Sequence, residues 1–166
     1  MSVASHMPYS VDEFLALDLL TLRAHTERSG DVLDAEQQRA RIEASLSVSQ
    51  VCIVRRSGAL VAYAMFRPES EGAWFVTGFN THPSFRTSSV LFELLASLVD
   101  RVRTLDIRVL RSNVYKANDL SMSFHRRLGF RVTRENEKGV EFTARSSEIA
   151  ASPAIARTAK RLGLGS

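Results

Sequence analysis

The stretch Asn118-Asp119-Leu120-Ser121-Met122-Ser123-Phe124-His125-Arg126-Arg127-Leu128-Gly129-Phe130 decides how this chain is read. Asparagine accepts hydrogen bonds from the free N–H groups that open a helix, and glycine ends one in a left-handed turn. The spacing therefore predicts a helix between Asn118 and Gly129. Asn118, Ser121 and His125 fall three and four residues apart, so they share one polar face suited to lining a cleft. Leu120, Phe124 and Leu128 make the opposite face and are expected in the core. A short strand over 107–110 precedes this helix, and a hairpin over 130–134 and 140–145, turning at 136–139, follows it.

Upstream, Val90, Leu91, Leu94, Leu95, Leu98, Val99 and Val102 form the wide apolar stripe of a helix packed hard on a sheet, with Ser88 or Ser89 as its cap. A strand over 74–81 comes before it. Gly78 inside that strand marks a bulge or a close approach by another molecule. A hairpin pairs 51–54 with 60–66 through Arg56-Ser57-Gly58. Two helices lead the chain: 11–25, capped by Ser10, and 34–46, with Ile42 and Leu46 inward. Ser5-His6-Met7 reads as a cloning remnant, which makes Met7 the natural start. One domain is expected over 1–146, with a C-terminal tail over 147–166 carrying one short basic helix. The order of elements is that of an α/β (α+β) sandwich around a single mixed, mostly antiparallel sheet with helices on both faces.

The chain has 166 residues, 45% of them hydrophobic and 24% charged, which suits one globular domain and excludes wholesale disorder. No run reaches the roughly 18 apolar residues of a membrane span. The start lacks a secretory layout, and the single cysteine, Cys52, excludes an internal disulfide and a zinc cluster. A cytoplasmic protein with no metal and no membrane contact is expected. The formal charge of +4 favours phosphate-bearing partners as a field effect. It is too small to mark a nucleic-acid binder, and a charged tRNA is the one RNA-linked substrate it suits.

The segment from Asn118 to Phe130, taken with His82-Pro83-Ser84-Phe85-Arg86-Thr87-Ser88-Ser89-Val90-Leu91, resembles the GNAT superfamily of acyl-CoA-dependent N-acyltransferases. The likeness spans about 51–142, and Asn118, Ser121, Phe124, His125, Gly129 and Phe130 stand at the family's signature positions. A loop opening a helix offers free N–H groups and a helix dipole to an anion, and Arg86 adds a fixed charge. The resemblance implies that Arg86, Thr87, Ser88, Ser89 and Val90 cup the pyrophosphate of acetyl-CoA or another acyl-CoA. It further implies that Phe79 and Thr81 offer backbone groups to the pantetheine arm, with Asn118 and Ser121 beside it. His125 stands where the family has a proton-donating tyrosine, and Tyr115 is the second candidate for that proton. The implied reaction is transfer of an acetyl or other short acyl group to a primary amine, on a small molecule or a peptide. A homodimer is an assembly common in the family.

Two departures define the alternative. Ser89 and Leu91 occupy positions where the family carries glycine, and the strand over 74–81 holds no Asp or Glu to act as base; Glu69 and Glu71 lie in the turn before it. A catalytically inactive acyl-CoA sensor or protein-interaction module fits those losses. Several residues also have plainer readings. Asn118 caps a helix whatever its function, His82-Pro83 ends a strand, and Cys52 fills the core. Arginines 108, 111, 126, 127, 131 and 134 read as solvated faces. The acceptor is expected among the first two helices and the loops at 69–72 and 136–139.

Overall fold

The computed structural model describes residues 8–163; the proposed start at Met7 lies outside them. Two helices come first, α1 (Val11–Arg28) and α2 (Ala35–Val48). Ser10 caps α1 in a full capping box with Glu13, and Asp34 caps α2 through the Gln37 N–H. Strands β1 (Gln50–Arg56), β2 (Ala59–Ser70) and β3 (Ala73–Thr81) then form a meander. A 3-10 turn, Pro83–Phe85, follows, with the His82 ring accepting the Ser84 N–H as its cap. The remainder is α3 (Ser88–Thr104), β4 (Val109–Tyr115), α4 (Asp119–Arg127), β5 (Arg131–Glu135), β6 (Gly139–Arg145), α5 (Ser146–Ala151) and α6 (Pro153–Arg161).

The six strands form one sheet in the order β1-β2-β3-β4-β6-β5, antiparallel except for the β3–β4 pair. Alternation along β2 explains the two layers. Ala62, Ala64 and Phe66 join the core beneath α3, whereas Tyr63 and Met65 join Phe14, Leu17 and Ile42 beneath α1 and α2. Cys52 is buried in the first of these clusters, and burial pushes its thiol pKa up.

Several expectations are corrected. The cap of α3 is Thr87, whose hydroxyl accepts the Val90 N–H, and not Ser88 or Ser89. The fourth strand runs over Val109–Tyr115 and not 107–110; Ile107 is buried just ahead of it. The segment after 146 holds two helices where one was expected, and Ile149 and Ile155 lie in the α3-side core. Leu120 is 54% exposed and so is not part of the core face of α4. The neighbour crowding Gly78 is the chain's own Tyr63, whose ring carbon Cε2 lies 2.8 Å from where a Cβ would stand. The expected bulge is present: Met65 and Phe66 pair with Gly78 and Val76, leaving Thr77 as the extra residue.

Candidate active site

Parallel pairing of β3 with β4 is confined to Ala73–Phe75 and Val109–Arg111. Beyond these residues the strands part. Arg111 secures the vertex: its guanidinium donates to Glu69 on β2 at 2.9 Å and to Glu141 on β6 at 2.5 Å, and it covers the Phe75 ring. This arginine is therefore half-buried in an ion-pair network and does not belong to a solvated face. Glu69 is committed to it, and its carboxyl is held below the usual range chiefly by that hydrogen bond.

The β2–β3 ladder fixes which groups face the opening. The His82 N–H bonds to the Val61 carbonyl, so alternation turns the Phe79 and Thr81 N–H groups away from β2 and toward the gap. The Thr81 N–H is taken by the Asn80 side-chain oxygen at 2.9 Å. The Phe79 N–H is the donor left to serve a ligand there.

A cleft of about 450 Å³ lies beside the gap, among α1, α3 and α4. Phe79, Thr81, Arg86, Thr87, Ser88, Val90, Asn118 and Ser121, each expected from the sequence to hold an acyl-CoA, are brought together on its lining. Ser89 is not among them. Its hydroxyl accepts from Arg56 at 3.1 Å, so its side chain turns toward β1 and away from the cleft. Leu91 lines the cleft and packs against the core, forming a wall and not a plug. At the head of α3 the Val90 and Leu91 N–H groups bond back to Thr87, which leaves that of Ser88 free on the cleft lining. His25 and Arg127 also line the cleft, although neither was expected.

A second hollow, of about 600 Å³, lies on the other side, under α1 and α2. Phe79, Asn118 and Ser121 line both hollows, so the two meet at the gap. Residues 31–34 border it, but the 69–72 loop does not, because that loop sits at the closed end of the strand pair. Lys138 of the other expected loop reaches in to bind Asp31. The Tyr115 hydroxyl donates to Asp31 at 3.1 Å, and burial followed by that carboxylate raises its pKa.

His125 sits at the floor of this hollow, 6% exposed. Its Nδ1 is 2.8 Å from the Ser121 carbonyl, an acceptor, so Nδ1 carries the proton. Nε2 then accepts from Ser112 Oγ at 3.0 Å. The ring stacks on Phe142, and burial lowers its pKa. It is a neutral imidazole with both nitrogens engaged, not a solvated one.

Sequence reasoning missed Asp18. It lies 1% exposed beneath this hollow, accepting from the Tyr63 hydroxyl, from Asn80 at 3.1 Å and from Gln38 at 2.8 Å. Burial raises its pKa. The signal was present: an acid in the run Phe14-Leu15-Ala16-Leu17-Asp18-Leu19-Leu20 is out of place unless it is bonded internally. Among the described residues no helix is long and apolar enough to cross a membrane, and no cluster of ligating side chains could hold a metal.

Comparison with known proteins agrees with this geometry. No curated protein matches the sequence. The fold is similar to that of the PaiA N-acetyltransferase of Thermoplasma acidophilum in complex with coenzyme A, with a TM-score of 0.65 at 12% identity over 81% of this chain and 92% of that one. It is similar also to YncA of Salmonella typhimurium with its cofactor acetyl-CoA, with a TM-score of 0.57 at 18% identity over 82% and 90%. The ribosomal-protein-S18-alanine N-acetyltransferase of Escherichia coli gives 0.60 at 14% identity over 82% and 89%. The model of the acetyltransferase (GNAT) family matches residues 15–130, which take in both hollows and the diverging strands, and the chain belongs to that family.

Proposed function

We propose that the protein is an acyl-CoA-dependent N-acyltransferase acting on a primary amine in a ternary complex. The observation that carries this reading is the free Phe79 N–H at the point where the cofactor-side cleft and the second hollow meet. The residues present fit an acyl-CoA. The Ser88 N–H group, with Arg86 and Arg127, offers a donor and positive charge to phosphates, and the open strands leave a path for the pantetheine arm. Bound there, the thioester supplies an activated carbonyl: the amine nitrogen bonds to its carbon, the C–S bond breaks, and one proton leaves nitrogen while one joins sulfur.

The chain's own residues have separate tasks. The Phe79 N–H stabilises negative charge developing on the attacked carbonyl oxygen. Holding both reactants across the gap supplies much of the acceleration. Tyr115 returns the proton to sulfur, because its raised pKa keeps the hydroxyl protonated and it borders the hollow. In this reading His125, buried and bonded at both nitrogens, is a positioning residue for Ser112 and Ser121. Asp31, paired with Lys138, and Asp34 stand against the single cation Arg41 on the lining of the amine side, a balance that tolerates a cationic amine. A peptide N-terminus or a small diamine meets that description.

The test pairs calorimetric titration of acetyl-CoA with a thiol-release assay across an amine panel. Tyr115→Phe should bind acetyl-CoA normally and lose about a hundredfold in turnover. Full turnover in that variant removes Tyr115 from the mechanism. Failure of the wild type to bind any CoA ester overturns the whole reading.

A further inference from the structure

Behind the cofactor-side cleft lies a third hollow, of about 480 Å³, between the sheet and α3, α5 and α6. Its apolar lining includes Ala64, Val76, Leu95, Leu98, Val99 and Ile155. Protein interiors pack nearly as densely as organic crystals and leave few voids larger than a water. Its lining is mostly apolar, with Arg103, Asp106, His125, Ser146 and Ser147 as the polar exceptions, and a hollow of this kind invites an apolar guest. Phe79 and Phe124 separate it from the cleft: their rings stack at 5.0 Å, and both residues line both spaces. The residue whose N–H faces the thioester position thus supplies, through its ring, the partition to the hollow. An acyl chain continuing past that carbonyl meets the partition first and the hollow next.

We propose that this hollow is an acyl-chain pocket, and that the preferred donor is a straight-chain acyl-CoA longer than acetyl-CoA. The assignment rests on the transferase reading above. The lining suits a hydrocarbon. His125, which also borders the hollow, is held neutral, and the charged residues on the lining, Arg103 and Asp106, carry opposite signs. A wholly aliphatic tail needs no polar partner in the middle of such a space.

Calorimetric titration of the full chain with free CoA and with acetyl-, butyryl-, hexanoyl- and octanoyl-CoA tests the proposal. Burying a methylene tightens binding by up to about fourfold, so hexanoyl-CoA should bind on the order of a hundredfold more tightly than acetyl-CoA. Leu98→Trp narrows the hollow and should reduce that gain sharply, with acetyl-CoA affinity and turnover unchanged. Val102→Phe, on the next turn of α3, repeats the test where the first variant unfolds. Hexanoyl-CoA binding no more tightly than acetyl-CoA overturns the pocket and leaves the transferase intact. A hexanoyl preference that survives both substitutions also overturns it. No binding of any CoA compound overturns the pocket together with the transferase.

Discussion

The imidazole of His125 is held at four points: Ser121 and Ser112 engage its nitrogens, Phe142 stacks on one face and Phe130 meets it edge-on. His125→Ala should cost about 3 kcal/mol, from the cavity left and from the stranded Ser112 hydroxyl, read as a fall in the urea midpoint. The pH dependence has a definite sign. Burial holds the folded pKa below the ordinary value of 6.5. Its contribution to stability is therefore complete above that pH. It is lost as pH falls, because the unfolded chain takes a proton that the folded chain refuses. Removing the ring should flatten the decline of stability below about pH 6.5; an unchanged slope contradicts the assignment. The position of His125 was legible in its spacing from Asn118 and Ser121, but its burial was not. A histidine between two flanking sequence features reads the same on a wet face as on a dry one. Only the arrival of Phe142 from β6 settles which it is.

Caps and bulges show where local pattern stops informing. Thr87, Ser88 and Ser89 can all cap a helix, and the choice fell to Thr87 because its hydroxyl alone reaches the Val90 N–H. The length of β4 was hidden by Ser112, a polar residue on the inward face. Its hydroxyl is bonded to His125, and it breaks the apolar alternation of Leu110 and Val114. The end of α4, by contrast, was plain. Gly129 has φ +91°, and a Cβ there would lie 2.8 Å from the Glu148 backbone carbonyl oxygen, which cannot swing aside as a side chain would. Gly129→Ala should therefore destabilise by about 2–4 kcal/mol, combining left-handed strain with the forced separation of α4 from α5. The expected signature is a lower denaturant midpoint with an unchanged slope. A midpoint equal to wild type would mean that α5 is not seated against that turn.

At the scale of the molecule, the order of elements was enough to predict one mixed sheet with helices on both faces, because connection order restricts topology more tightly than any single strand does. What it did not yield was the fate of the last helices. Their Ala- and Ser-rich composition reads as a tail, yet Ile149 and Ile155 enter the core, and Arg161 lies 3.8 Å over the Phe92 ring of α3. Fully burying two isoleucines contributes about 3–6 kcal/mol, against a typical domain stability of about 5–15 kcal/mol. A chain ending at Arg145 should therefore unfold at a markedly lower temperature than the full chain, or fail to fold. It should also expose the apolar hollow beside α3 and bind more of a hydrophobic dye than the full chain does. Equal unfolding midpoints with equal dye binding would show that the sheet and α3 are self-sufficient, and that α5 and α6 only decorate them.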